Sequence, residues 1–211
     1  MEKQVTLGVF LEALGLLDSF LSKLPRNGET QLPIDIRAIG GFALMYHNVR
    51  VSAVTADIDS VTSDYPSIVV DLVKEVATEL DMVSDWLNNY NVLDNAVDAI
   101  AALLQPRWEK SEWHFDNINL YVADLEALLR SKLLAAEDDK ITGRAQDYPD
   151  LLAICVALGC DTFGEIIEQC EVMGINLMVE YPWNHERLVR DIEVAYRDWE
   201  RDQPDWGTLV E

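Results

Sequence analysis

The chain has 211 residues, a formal net charge of −22 and 49% hydrophobic residues. This hydrophobic share supports a folded core and excludes a disordered acidic tail, and the length suits one domain with a small extension. The negative charge argues against nonspecific binding to DNA or to anionic membranes, because both repel a polyanion.

The cysteines and the N-terminal segment predict a cytoplasmic protein. Cys155, Cys160 and Cys170 are odd in number and lack the spacing of a zinc site, which favours a reducing compartment. Acidic residues interrupt the apolar run at the N-terminus, so this run predicts an amphipathic helix and neither a signal peptide nor a membrane span.

Apolar periodicity and turn residues predict helices mixed with strands in the first part of the chain. In chain order we expect a helix at 5–24, a loop at 25–33, a strand at 34–39, a helix at 42–47, an acidic strand at 55–60, a helix at 66–80, a loop opening at 85–88, a helix at 93–104 and a strand at 113–122.

The later part of the chain is predicted to be helical, with helices at 124–137, 147–158, 162–173 and 184–201. Strands followed by helices predict an α+β fold, with a small mixed sheet flanked by helices and a mostly helical C-terminal portion. We place the domain boundary in the weakly patterned stretch between them, which gives a core at 1–138 and a helical portion at 139–211.

Asp57 and Asp59 are candidate metal ligands. Alternation along a strand places both carboxylates on one face, with Ile58 toward the core. Two carboxylates roughly 6–7 Å apart can share a hard cation such as Mg²⁺, and Mn²⁺ is an alternative. The competing interpretation is a solvated edge strand in a very acidic protein.

Gly40 and Gly41 precede an apolar helix. Glycines let the backbone approach a phosphate closely, and a helix N-terminus presents unpaired N–H groups to it. A tight turn is the plainer alternative. Ser52 and Thr55, between this helix and Asp57, either donate hydrogen bonds to phosphates or cap the turn.

Two blocks of sequence carry a family resemblance, IGGFALMYHNVRVSAVTADIDSVT and EALLRSKLLAAEDDKITGRAQDYPDLL, which together span roughly residues 34 to 158. They resemble the minimal nucleotidyltransferases of the DNA polymerase beta superfamily, and more narrowly the bacterial group of AbiEii-type abortive-infection toxins. The resemblance implies a nucleotidyltransferase-type sheet and Mg²⁺-dependent transfer of a nucleotide from an NTP. The acceptor would be RNA such as a tRNA end, a protein hydroxyl or a small molecule.

The second block contributes three candidate site residues by this resemblance. Lys132 is the catalytic candidate, which would neutralise charge that develops during in-line attack at the α-phosphorus, and Arg144 and Asp147 are nucleotide-binding candidates. By helical spacing alone, Lys132 lies within an apolar face, so it must extend to solvent or meet an anionic partner. Asp147, followed by Pro149 and Asp150, is equally typical of an ordinary helix N-terminus.

A third carboxylate is expected in this superfamily on a neighbouring strand, where it holds metal or deprotonates the attacking hydroxyl. Asp116 is the candidate, and Asp124 is expected to cap the next helix. If Asp116 is misplaced, the alternative is a catalytically silent nucleotide-binding or interaction module, such as one half of a toxin–antitoxin-like pair. Its acidic surface would favour a basic protein partner.

Arginines at 187, 190, 197 and 201 fall on one stripe of the last predicted helix. This stripe would suit RNA phosphates, whereas acidic residues one turn away favour neutralisation within the helix, as in Glu186–Arg190 and Glu193–Arg197.

Overall fold

A computed structural model describes residues 5–25, 31–49, 54–62, 65–89, 106–137, 147–174 and 185–202. Within these ranges the helices are α1 Leu7–Leu21, α2 Gly40–Tyr46, α3 Ser67–Glu79, α4 Leu125–Glu137, α5 Asp147–Ala157, α6 Phe163–Gly174 and α7 His185–Asp202. The strands are β1 Ile34–Ile39, β2 Ile58–Ser60, β3 Leu87–Asn88, β4 Trp108–Lys110 and β5 Ile118–Ala123.

The chain divides into two compact units, Met1–Leu128 and Leu129–Glu211. The division falls inside α4, earlier than the predicted boundary after residue 138. Lys132, in the later half of α4, contacts the start of α5, which agrees with this division.

A five-stranded mixed sheet in the order β3-β2-β1-β5-β4 forms the first unit. The central strand β1 is antiparallel to β2, with Ile39 opposite Asp59, and parallel to β5, with Ile34 opposite Ile118. At the edges, β3 is parallel to β2 and β4 is antiparallel to β5. The predicted α+β class is therefore confirmed.

Strand alternation gives this sheet one apolar face. The residues of β1 and β5 buried on it are Ile34, Ile36, Ala38, Ile118, Leu120 and Val122. Phe10 of α1 and Phe42 of α2 pack edge to face, with ring centroids 5.5 Å apart. The intervening residues of β1, Asp35 and Arg37, project to the opposite face and are more exposed.

The strand predicted at 113–122 begins only at Ile118. The side chain of Asp18 in α1 accepts hydrogen bonds from the N–H groups of Asn117, at 2.6 Å, and Asp116, at 3.3 Å. These N–H groups are thereby satisfied outside the sheet, and β5 starts after them.

The loop predicted to open at 85–88 contains strand β3. The buried Trp86 donates its indole N–H to the carbonyl of Val73, and its own carbonyl accepts the N–H of Ile58. This anchoring aligns Leu87 and Asn88 with β2. Strand β4 had no prediction, and the helix predicted at 93–104 lies outside the described residues.

The second unit is helical, as predicted, with α5, α6 and α7 in mutual contact. Its buried residues include Leu151, Ile154, Ile166 and Ile192. No helix within the described ranges combines the length and the apolar character needed to cross a bilayer.

Cys155, Cys160 and Cys170 are all buried in the second unit with free thiols. The Cys155 thiol hydrogen-bonds with the thiols of Cys170 and Cys160. The pKa of Cys155 is raised, first by the hydrogen bond with Cys170 and second by burial. Burial raises the pKa of Cys160 to about 11.

We expect these thiols to resist alkylation by iodoacetamide in the native protein at pH 8 and to react in denaturant. The thiolate is the nucleophile, and a pKa of about 11 leaves roughly one Cys160 in a thousand ionised at that pH. Intact mass after timed labelling counts the modified residues. Native labelling of Cys160 as fast as a free cysteine would contradict this.

The same pKa shift predicts a pH dependence of stability. Because the pKa of Cys160 in the folded state lies above the unfolded value of about 8.5, the protonated thiol contributes fully to the free energy of unfolding below about pH 8.5. This contribution is lost as the pH rises toward 11. Denaturant unfolding between pH 7 and 10.5 measures it, and Cys160→Ala should show a smaller decline.

Candidate functional site

Asp57 and Asp59 lie at the end of the sheet where β1 finishes. Asp59, in β2, is opposite Ile39 of β1 and Asn88 of β3. The amide of Asn88 donates a hydrogen bond to Oδ2 of Asp57 at 2.8 Å. Both carboxylates are partly exposed, so this end of the sheet brings together two acids and a positioning amide.

Asn88 is the site residue that sequence reasoning missed. Its side chain is buried, with a relative exposure of 5%, and it fixes one oxygen of Asp57. A strand of two residues is too short to show a period of two, so its pattern could not distinguish it from a loop. The signal in the sequence was an asparagine directly after the apolar pair Trp86-Leu87.

Gly40 is in contact with the Asp59 carboxylate. Its φ is +66°, and a Cβ on this residue would lie 2.5 Å from Oδ2 of Asp59. Only glycine combines this backbone conformation with so close an approach. The Gly40-Gly41 pair and the acidic strand are therefore adjacent in space, while the phosphate-binding role of these glycines stays a prediction.

Three other predicted nucleotide-binding positions have different outcomes. Thr55 is buried, and its backbone exchanges two hydrogen bonds with Val5, at 2.6 and 3.0 Å. This pairing holds the segment that leads into Asp57, and the role of the Thr55 hydroxyl stays a prediction. Ser52 and Arg144 lie outside the described residues.

Asp116 is not the third carboxylate of this site. It precedes Ile118, which pairs with Ile34 at the beginning of β1, whereas Asp59 pairs with Ile39 at its end. At about 3.3 Å per residue, these ends of β1 are roughly 16 Å apart. Oxygen–metal distances of about 2.0–2.6 Å exclude a shared metal. The prediction was wrong because β5 is parallel to β1 and β2 is antiparallel to it.

Asp124, at the end of β5, caps α4 as expected. Its Oδ1 accepts the N–H of Ala127 at 2.8 Å, and its Oδ2 accepts the backbone N–H and Nε of Arg107 at 2.9 and 3.2 Å. Its carboxylate is thus occupied by structural contacts.

Lys132 lies between two buried carboxylates of the second unit. Its ammonium is 2.7 Å from Oδ1 of Asp147 and 2.8 Å from Oδ2 of Asp150. All three side chains are at most 13% exposed. The anionic partner expected for a lysine on an apolar face is therefore present, and it belongs to this chain. The catalytic role of Lys132 and the nucleotide-binding role of Asp147 stay predictions.

The arginines of α7 have acidic neighbours on the same helix. Arg197 pairs with Glu193, Arg201 with Asp198 at 3.1 Å, and Arg190 with Asp191 at 3.2 Å. The side chain of Arg187 lies outside the described residues. The Glu193–Arg197 pair is as predicted. Arg190 pairs with Asp191, and the side chain of Glu186, its predicted partner, lies outside the described residues. These pairs weaken the case for an RNA-binding stripe.

The donor set at Asp57 and Asp59 fits a hard dication. Mg²⁺ prefers oxygen ligands and is commonly held by one or two carboxylates together with substrate phosphates. Among the described residues no group of three or more His, Cys, Asp or Glu side chains is placed to hold a metal. A cation here would complete its coordination with water or with oxygen atoms of a bound ligand.

We expect Gly40→Ala to abolish the Mg²⁺–nucleotide binding that the sequence predicts, because the new Cβ would displace the Asp59 carboxylate. The positive φ adds strain of about 1–2 kcal/mol. Gly159→Ala is the matched control, since Gly159 has a φ of +92° but no atom within 4 Å of its added Cβ. Nucleotide-induced thermal shifts compare the two. Normal binding by Gly40→Ala would show that the Asp59 position is unimportant.

Lys132→Met should lower the free energy of unfolding by about 3–5 kcal/mol, because it leaves two buried carboxylates without their cation. Lys74→Met is the control, since the exposed Lys74–Asp71 pair at 3.5 Å should contribute less than about 1 kcal/mol. Urea denaturation measures both variants. Equal losses would contradict a stabilising role for the buried cluster.

Comparison with known proteins gave no match to this chain: no protein-family model, no curated protein and no solved structure. The resemblance to the nucleotidyltransferases of the DNA polymerase beta superfamily therefore stays a prediction from the sequence.

Proposed function

We propose that this protein is a Mg²⁺-dependent nucleotidyltransferase that moves a nucleotide from an NTP to an acceptor hydroxyl. The observation that carries the proposal is the contact between the Asp59 carboxylate and Gly40, with Asp57 held nearby by Asn88. This contact supports the proposal because it brings carboxylate oxygens next to the glycines that the sequence predicts for phosphates.

Each residue of this site has a distinct part in the proposal. Asp57 and Asp59 would hold Mg²⁺, which neutralises the triphosphate charge and polarises the α-phosphate when bound. Asn88 keeps Asp57 oriented through its amide. Gly40 and Gly41 would offer backbone N–H groups to the β and γ phosphates.

The charge of the chain makes nucleotide binding depend on the metal. Two neighbouring carboxylates in a protein of net charge −22 repel a triphosphate. A dication would neutralise the charge of the two carboxylates and would coordinate the phosphates directly, so an NTP should bind with Mg²⁺ and not in EDTA.

The proposed reaction is an in-line displacement. The acceptor oxygen forms a bond to the α-phosphorus, the bond from that phosphorus to the bridging oxygen breaks, and pyrophosphate leaves with that oxygen. The hydroxyl proton passes to solvent or to a base. Positioning and electrostatic stabilisation would provide most of the acceleration.

A second candidate is nucleotide binding without transfer, combined with recognition of a basic protein. The position of Asp116 favours it, because β5 places no acid beside Asp59. The β5 residues on the face of Asp59 are Asn119, Tyr121 and Ala123. This site would then have two acids, whereas enzymes of the resembled superfamily generally use three.

An assay with α-³²P-labelled NTPs, Mg²⁺, total RNA and cell lysate separates the two candidates. A transferase should label an acceptor, and Asp57→Asn or Asp59→Asn should reduce labelling by at least about a hundredfold. Asp116→Asn makes the same change of charge at the other end of β1 and should leave labelling intact.

The outcomes of this assay assign the function. Mg²⁺-dependent thermal stabilisation by an NTP without label transfer would support the silent module. Stabilisation that persists in EDTA, or in the double variant Asp57→Asn with Asp59→Asn, would exclude both candidates at this site.

A further inference from the structure

A cavity of about 420 Å³ lies in the first unit, away from Asp57 and Asp59. Its lining residues are Leu7, Tyr46, Glu109, Lys110, Glu112 and Trp113. Tyr46 ends α2, whereas Gly40 begins it. The strand β4 is separated from β2 by β1 and β5. The volume falls in the range of about 300–1,000 Å³ that is typical of small-ligand pockets.

Two aromatic rings form a fixed wall of this cavity. Trp113 packs edge to face on Tyr46, with centroids 5.7 Å apart, and on Phe42, at 6.1 Å. The Tyr46 hydroxyl accepts the N–H of Glu112 at 3.1 Å, which ties the segment before Trp113 to the end of α2. Tyr46 and Trp113 are each only partly buried, so ring surface remains for a ligand.

The charged residues that line the cavity differ in the contacts that their side chains make. The exposed carboxylates of Glu109 and Glu112 have no ion pair or side-chain hydrogen bond within the described part of the chain. The ammonium of Lys110, which also lines the cavity, donates to Oδ1 of the neutral Asn119 on β5, at 3.4 Å. The cavity therefore combines two aromatic rings with two carboxylates and one ammonium, a formal charge of −1.

We propose that this cavity binds the arginine or lysine side chain of a basic polypeptide partner. A guanidinium or ammonium group is attracted to the ring faces of Tyr46 and Trp113 and to the two carboxylates. Its aliphatic stem packs on apolar groups such as Leu7. The net charge of −22 attracts a basic surface from a distance. The assignment does not depend on nucleotide binding by Asp57 and Asp59.

The test uses the indole N–H resonance of Trp113 in ¹⁵N-labelled full-length protein, identified by its loss in Trp113→Phe. The probe is a capped Gly-Gly-Arg-Gly-Gly peptide in 150 mM salt, where long-range attraction is screened. The same peptide with citrulline in place of arginine retains the shape but is neutral. We expect the arginine peptide to shift the resonance with at least about fivefold higher affinity.

Matched variants distinguish this cavity from the general acidity of the protein. Glu109→Gln with Glu112→Gln should weaken binding about fivefold. Glu75→Gln with Glu79→Gln, which removes the same charge from exposed positions of α3, should change it less than about twofold. Circular dichroism and thermal midpoints confirm that both double variants are folded.

Three results would overturn the proposal. They are equal shifts by the arginine and citrulline peptides, equal losses in the two double variants, and no shift of the Trp113 resonance at millimolar peptide. Agmatine, a free alkyl guanidinium, is a further arm. If it binds more than about tenfold tighter than the arginine peptide, the occupant is a small cation and the polypeptide assignment is wrong.

Discussion

The hydrogen bonds that β1 makes with β2 and β5 decide where the acidic residues of the first unit lie. The antiparallel pairing of Ile39 with Asp59 places the Asp59 carboxylate at the end of β1, directly over Gly40. A slip of one residue would turn Asp59 toward the core and bring Ser60 to its face. The register of β2 therefore requires glycine at position 40, because a Cβ at this position would displace the Asp59 carboxylate that the register brings next to it.

Local patterns in the sequence were sufficient for the parts of this fold that depend on neighbours along the chain. The apolar run at 34–39 forms β1 at the predicted bounds, and the helices of the second unit lie within one or two residues of prediction. Such patterns could not predict the distance between Asp116 and Asp59, because this distance depends on which strands pair and in which direction. The start of β5 depends in turn on Asp18, which is remote in sequence and captures the N–H groups of Asn117 and Asp116.

The contacts of Lys132 bear on how a phosphate could approach it. Asp147 and Asp150 are three residues apart in the first turn of α5, so both face the same ammonium. Oδ2 of Asp147 is buried and has no hydrogen-bond partner among the described residues. The three side chains carry a formal charge of −1, which suits a further cation better than an anion. A nucleotide phosphate would have to compete with carboxylates that already hold this lysine.

The extreme acidity of the chain has opposite effects at the two candidate sites of the first unit. At Asp57 and Asp59 it would oppose a triphosphate, so the proposed binding there depends on a dication that neutralises the two carboxylates. At Glu109 and Glu112 the same sign of charge acts directly on a cationic side chain, and the rings of Tyr46 and Trp113 add directional contact. Because β1 and β5 separate β2 from β4, neither site uses the residues of the other. On these two proposals, a protein of this charge would combine metal-dependent recognition of an anion with direct recognition of a basic partner.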